Sequence, residues 1–478
     1  MKKQAFNPYL PSWEYVPDGE PYVFDGRVYV YGSHDMFGGH VFCLNDYVCW
    51  SAPVDDLGNW RYEGVIYRRT QDPLNEDGHM ALYAPDVTVG PDGRYYLYYV
   101  LDKVNVVSVA VCDTPAGKYE FYGFVHYSDG TLLGKKEGDD PQFDPGVITE
   151  NGVTHLYTGF CPIGDKSRHG PMHTVLGEDM LTIVKGPRFI MPSQPYSAGS
   201  GYEGHEFFEA SSIRKRNGIY YFIYSSVVLH ELCYATSDSP EGEFKYQGVV
   251  VSNCDMHIGG YKPAEKPVFY TSNNHGSMEE INGDWYIFYH RHTNGTVFSR
   301  QGCADKITFN DDGTINQTQM TSCGLNGGPL EGKGWYPSYI CCNLFNDTEL
   351  MYTGGPWGNG MFIGSEFPRI TQDEADADEN TGCGYIANMT NSSTAGFKFF
   401  DFNNSRVSRI SIRGYGNGVF EVRNEIGGEV LGTIPVENFN YWTDIPADIK
   451  LPDGTGSIYF TFNGNGNPDF AGFELKED

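Results

Sequence analysis

The chain has 478 residues and a formal net charge of −29. It is long enough for more than one domain and a large core, and its acidic balance excludes nucleic acid and anionic membrane as partners, since both are bound through basic patches. With 59 glycines and 35 tyrosines, the composition suits short strands, tight turns and a neutral sugar ligand, although most of the rings are expected to be strand formers and core.

The first nine residues carry two lysines but no apolar h-region, and no run of eighteen apolar residues follows. The expectation is a cytoplasmic protein without signal peptide or membrane span. Eleven cysteines, odd in number and without a CxxC pair, read as free thiols in a reducing compartment.

From residue 25 a phrase recurs. Asp25-Gly26 precedes Arg27-Val28-Tyr29-Val30-Tyr31, and Asp92-Gly93 precedes Arg94-Tyr95-Tyr96-Leu97-Tyr98. Asn151-Gly152, Asn217-Gly218 and Asn282-Gly283 introduce similar runs ending in Tyr157, Tyr224 and Tyr289. Asp-Gly or Asn-Gly before a β-branched and aromatic run predicts a hairpin, because both central positions of a type I′ turn need positive φ. Recurrence about every 65 residues marks a repeat architecture, and the period suits one four-stranded unit. Five units predict an all-β protein whose residues 1–322 form a five-bladed β-propeller around a central channel.

Counting back six to eight residues from each turn reaches Asp18, Asp86, Asp144, Glu209 and His275. Five titratable residues at one repeat position should converge where the inner strands meet, and a shared site of carboxylates is where environment pushes pKa values apart. Glu20 competes with Asp18, because residues two apart face the same side of a strand; the count favours Asp18. Glu203 and Glu206 are out of phase and are assigned to a loop above the channel. His205-Glu206-Phe207-Phe208-Glu209 matches half of a zinc-protease motif, but the second histidine is absent and the context is strand, so no zinc site is expected there. Further on come His290-Arg291-His292 and then Arg300. Arg300 fits a clamp on a sugar hydroxyl, an orienter of a carboxylate, or a surface salt bridge. His275 fits either a ligand to a hydrated cation or a satisfied core histidine.

The phrase stops near residue 320. The glycine-rich stretch 324–332 reads as a linker, and residues 323–478 carry short alternating segments spaced as in a β-sandwich of jelly-roll type. The acidic run 373–379 reads as a solvated loop.

Carboxylates converging on a channel suit glycosidic-bond cleavage, which needs one acid kept protonated for the leaving oxygen and one ionised carboxylate. Here the chain resembles glycoside hydrolase family 43. Asp18 with the following Val23-Phe24-Asp25-Gly26-Arg27 resembles the family's catalytic-base strand, Phe143-Asp144-Pro145 its modulator motif, and Glu209 with Arg214-Lys215-Arg216-Asn217-Gly218 its general-acid strand. His275-Gly276-Ser277 resembles the histidine that meets a calcium or sodium ion, often through water, and Arg300 the arginine at the cleavage subsite. The resemblance implies an inverting enzyme with Asp18 as general base, Asp144 as pKa modulator and Glu209 as general acid, base and acid roughly 6.5–9.5 Å apart. Arg300, Asp86 and Phe24 are the expected substrate contacts, and Ca2+ or Na+ at His275 the expected cofactor. The family's first motif is Asp-Pro, whereas Gly19 follows Asp18 here, so Glu20 stays open as the base.

The expected activity is removal of α-L-arabinofuranosyl groups from arabinoxylan-derived oligosaccharides; the alternatives are β-xylosidase or both, then endo-arabinanase or a non-catalytic sugar-binding propeller. A fructan-cleaving propeller would want Arg before Asp-Pro and Cys after the acid, where this chain has Phe143 and Ala210. The tail resembles carbohydrate-binding module family 6. Trp335, Trp357, Tyr385 and Trp442 are its candidate sugar contacts, with core or interface as the plainer role for each. The sequence leaves the oligomeric state open.

Overall fold

The computed structural model describes residues 3–348, 363–373 and 384–477. Within them every regular element is a strand or a three-residue 3₁₀ turn, and no helix is long and apolar enough to cross a membrane. Trp357 and residues 374–379 of the acidic run lie outside the described residues.

Five four-stranded antiparallel sheets follow one another over residues 20–67, 82–124, 146–189, 207–252 and 278–316. Each begins with the hairpin that the repeated phrase predicts. Four of the turns carry positive φ at both central residues: Asp25-Gly26 at 48° and 75°, Asn151-Gly152 at 52° and 79°, Asn217-Gly218 at 51° and 84°, and Asn282-Gly283 at 54° and 88°. That is the type I′ geometry that Asp, Asn and Gly tolerate. The second repeat differs. Its strands pair Val89 with Tyr95, which leaves a five-residue loop closed by Gly90 N–H to Arg94 O at 2.8 Å.

Contacts between the first strands of the sheets run from the first to the fifth and back. Tyr22 OH donates to Asp86 Oδ1 at 2.6 Å, and Val147 N–H to Asp86 Oδ2 at 2.7 Å. Ala210 N–H donates to Asp144 Oδ2 at 3.0 Å, and Ser212 Oγ lies 2.7 Å from Ser277 Oγ. Gly19 forms a parallel bridge with Gly276. The segment before the first sheet is tied to the fifth: Asn7 Nδ2 donates to Ala304 O at 3.0 Å, and Ala304 N–H returns to Asn7 Oδ1 at 2.9 Å.

After Asn316 the next strand begins at Leu330. Residues from there on build two six-stranded sheets, with Phe397, Phe400, Phe420, Phe460, Phe462, Phe470 and Phe473 fully buried. Their rings meet mostly tilted or edge-on at centroid distances such as 4.9 Å for Phe397–Phe473, the arrangement that ring quadrupoles favour. This core is continuous with that of the fourth and fifth sheets. Buried charges cross the junction: Lys398 Nζ lies 2.9 Å from Asp255 Oδ2, and Arg291 donates to the carbonyls of Cys341 and Tyr339 at 2.7 and 2.6 Å. Trp335 is 41% exposed under Arg409, while Tyr385 is buried against Trp442 and Arg413.

Candidate active site

One pocket gathers Asp18, Asp144, Glu209, His275 and Arg300, with Asn273 beside them and Phe42, Tyr83, Ala84, Phe143 and Phe160 as walls. Asp18 and Asp144 lie two residues before their strands Glu20–Phe24 and Gly146–Glu150, His275 lies three before Met278–Ile281, and Glu209 is the third residue of Phe207–Arg216. The main chain aims them. Asp18 and Asp144 have φ of 58° and 41°, and Ala210, next to Glu209, has 69°. Left-handed backbone at non-glycine residues is uncommon and costs on the order of 1–2 kcal/mol for alanine. At Glu209 it coincides with a register shift between Glu209 and Ser212, so a bulge turns the side chain out of the ladder.

The three carboxyls have different company. Asp18 Oδ1 accepts from Arg300 Nη1 at 2.8 Å, and His290 Nδ1 lies 3.2 Å away. Burial opposes its ionisation, but the Arg300 guanidinium, followed by the hydrogen bond from His290, overrides burial and holds the Asp18 carboxyl far below the usual range. Arg300 is itself fixed by Asp35, with Nε to Oδ2 at 2.8 Å and Nη2 to Oδ1 at 3.0 Å, and its guanidinium lies over the Phe42 ring at 4.7 Å. Arg300, 3% exposed, therefore orients a carboxylate and is no surface salt bridge. Glu209 has no hydrogen bond or ion pair to its carboxyl among the described residues. Burial, and next the Asp18 charge, push it up to about 8, against Arg300. Asp144 is pinned by Ala210 N–H, and its proton affinity is raised first by burial and then by the nearby Glu209. Close carboxyls of this kind cannot all ionise together. Of the three carboxyls, Asp18 is thus the one favoured as a carboxylate, while Asp144 and Glu209 both have raised proton affinities.

Two expected substrate contacts are elsewhere. Asp86 is fully buried, with Tyr22, Val87 N–H and Val147 N–H on its oxygens. The reason is the long second turn: Asp86 lies only three residues from the strand end at Val89, whereas its counterparts lie six or seven from theirs. Tyr83 and Ala84 take the wall position in that repeat. Phe24 packs on Tyr22, Tyr29 and Tyr95 near the first turn, away from the pocket. Glu20 is also outside it, 1% exposed, with Oε2 2.8 Å from Arg214 Nη2. Arg214 reaches Glu279 at 3.2 Å as well, and its guanidinium stacks on Tyr22 at 4.2 Å. Glu20, Asp86, Arg214 and the partly exposed Glu279 thus form a second cluster further along the inner strands.

Counting back from turns missed Asp35, His290, Asn273, Phe42 and Phe160, which sit on loops and later strands. Alternation in His290-Arg291-His292 was the available signal for His290: the two imidazoles meet Asn273, at 2.9 Å to its carbonyl and 3.0 Å to its side chain, while Arg291 faces the opposite side.

His275 is a possible metal ligand. Burial, outweighing the Asp18 charge, lowers its pKa to about 4, so the imidazole is neutral and can donate a lone pair. Its nearest carboxylate oxygen is Asp144 Oδ2 at 3.6 Å. Hard cations take six or more oxygen ligands, so this donor set fits such an ion only with water supplying most of the shell.

The family model of glycosyl hydrolases family 43 matches residues 16–315. A relative named "Xylosidase/arabinosidase" in Thermoclostridium stercorarium is 67% identical over 480 residues, covering 100% of both chains. A solved β-xylosidase structure aligns at 27% identity with a TM-score of 0.52, covering 66% of this chain and 99% of that one. A solved arabinoxylan arabinofuranohydrolase from Bacillus subtilis covers 99% of this chain and 97% of its own at 20% identity and a TM-score of 0.51, a likeness of fold.

Proposed function

This chain belongs to glycosyl hydrolases family 43 and is a glycoside hydrolase; we propose that it is an inverting, exo-acting enzyme that removes α-L-arabinofuranosyl groups from arabinoxylan-derived oligosaccharides. The observation that carries this is the contrast between Asp18, held ionised by Arg300, and Glu209, unpartnered and pushed up to about 8 in the same pocket. Glu209 gives its proton to the leaving glycosidic oxygen, and Asp18 takes a proton from the water that attacks the anomeric carbon. Asp144, whose proton affinity is itself raised by burial and by Glu209, serves as the modulator: when ionised it would favour the protonated form of Glu209 by like-charge repulsion. The aromatic walls cover the apolar face of the sugar.

In this reading the five sheets are the blades of a closed β-propeller over residues 1–322, and residues 323–478 are a β-sandwich with the layout of a carbohydrate-binding module. The ring of contacts between inner strands supports the closure. His275 would hold a calcium or sodium ion mostly through water; when bound, the ion would supply positive charge to a pocket crowded with carboxyls.

The relatives' names, xylosidase and arabinosidase together, favour a second reading in which the pocket also accepts β-D-xylosides. The test is hydrolysis of p-nitrophenyl α-L-arabinofuranoside and β-D-xyloside, with the anomeric configuration of the released sugar followed by NMR. Faster arabinoside cleavage with inversion is expected. Comparable rates establish the dual reading, xyloside cleavage alone replaces the arabinosidase reading, and retention of configuration overturns Asp18 as a base to water.

A further inference from the structure

We propose that His205, Glu231 and Cys233 form a binding site for a thiophilic divalent cation of the zinc type, apart from the sugar pocket. Nδ1 of His205, a carboxylate oxygen of Glu231 and Sγ of Cys233 lie within 4.8 Å of one another. Glu231 and Cys233 are two apart on the strand Glu231–Ser237, so their side chains face one way. His205 enters from the loop before the Glu209 strand. Its ring is stacked on Tyr246 at 5.1 Å, and its carbonyl accepts from Tyr224 OH at 2.7 Å.

The individual separations are 2.6 Å from His205 Nδ1 to Glu231 Oε1, 3.3 Å from Cys233 Sγ to that oxygen, and 4.0 Å from sulfur to nitrogen. Tetrahedral zinc with bonds of about 2.0–2.3 Å requires ligand atoms roughly 3.4–3.7 Å apart. A small swing of the His205 ring, which is 32% exposed, meets that triangle and leaves a fourth position for water.

A second observation points to a ligand. Glu231 is fully buried, and its Oε1 is crowded by His205, Cys233 and Ser226 Oγ, the last at 2.6 Å. Its Oε2 has no hydrogen-bond partner among the described residues. A buried carboxylate oxygen left bare is costly, and a cation bridging or straddling the carboxylate satisfies it. Charge also balances: a thiolate and a carboxylate neutralise a dication, with the Cys233 thiol proton released to solvent as the metal binds. The half-motif at His205-Glu206-Phe207-Phe208-Glu209 thus contributes only its histidine, because Glu206 is turned to Ser197 at 2.6 Å and Glu209 lines the sugar pocket.

The experiment adds Co2+, then Zn2+, to chelator-treated full-length protein. The expected result is a thiolate-to-cobalt charge-transfer absorption at one ion per chain, displaced by Zn2+, with a rise in Tm and release of protons on zinc binding. Cys233→Ser and His205→Ala, each checked for native circular dichroism, are expected to lose the absorption or weaken zinc affinity by more than about 10²-fold. No charge-transfer band in the wild type, or a band that survives Cys233→Ser, overturns the site and leaves the cluster as a histidine–glutamate ion pair. Glycosidase activity is not the readout, so the result stands apart from the proposed function.

Discussion

Arg300, at the start of the third strand of the fifth sheet, and Arg214, on the inner strand of the fourth, are both buried among carboxylates, yet Arg300 lines the pocket of Asp18 and Glu209 and Arg214 does not. Arg300 serves Asp18 and Asp35 and leaves Glu209 alone. Arg214 serves Glu20 and Glu279, with Asp86 close by, and is capped by the Tyr22 ring. In both clusters burial raises proton affinities: Glu209 stands at about 8 and Glu279 at about 7. A perturbed carboxyl is therefore not enough to mark chemistry. What separates the clusters is an acid with no partner, open to a cavity with aromatic walls.

The largest effect that sharpens this contrast is a pair of exchanges. Asp18→Asn should lower kcat/KM on aryl glycosides by about 10³-fold or more while the protein stays folded, since removal of a general base commonly costs 10²–10⁴-fold. Glu20→Gln should do the reverse, keeping activity per folded molecule but losing up to about 3–5 kcal/mol by breaking a buried ion pair. Urea unfolding and aryl-glycoside assays on both proteins check this; an inactive but stable Glu20→Gln would move the base to Glu20.

Next in size is Glu209→Ala. Turnover of oligosaccharides should fall by about 10²–10⁴-fold, whereas an aryl glycoside whose leaving group needs no proton should lose far less. Equal losses on both substrates would remove Glu209 from the acid role.

The second and first repeats show how much was legible beforehand. Period, turn chemistry and the positions of Asp18, Asp144, Glu209 and His275 could all be read, because type I′ turns lock the register of the strand before them; Arg300, on a later strand, was reached through the family resemblance. Asp86 was misplaced for the same reason: Pro91 and a five-residue loop shift the Asp-Gly pair off the strand end, and counting from it slips by three residues. Phe24 was carried over with its strand and faces its own turn. Asp35 and Phe42 come from a loop with no repeat to anchor it, so nothing local announced them.

Smaller effects concern pH. The wild-type rate should fall as pH rises through about 8, tenfold per unit, because Glu209 must carry its proton; a pH–rate profile shows it, and a limb near 5 would contradict it. Stability should divide by the direction of each shift. Glu209 and Glu279 have folded values raised above 4.5, so their contribution is full below about 4.5 and lost as pH rises through about 7 to 8. Asp18, held low, contributes above 3.8 and loses that contribution as pH falls through its folded value. Glu279→Gln should flatten the loss of Tm between pH 4.5 and 7 by on the order of a few °C; an unchanged slope would show that Arg214 keeps Glu279 ionised throughout.

The bond from Arg300 to Asp18 spans 282 residues of chain. During synthesis Asp18 emerges near the start, but the guanidinium that fixes its charge follows only when almost two thirds of the protein has been made. The bridge from Gly19 to Gly276 and the strap from Asn7 to Ala304 also join the start of the chain to the fifth repeat. Hydrolytic competence is thus expected to arise late in the life of the polypeptide, and chains cut before Arg300 should be silent. The onset of turnover would serve as a clock for ring closure itself.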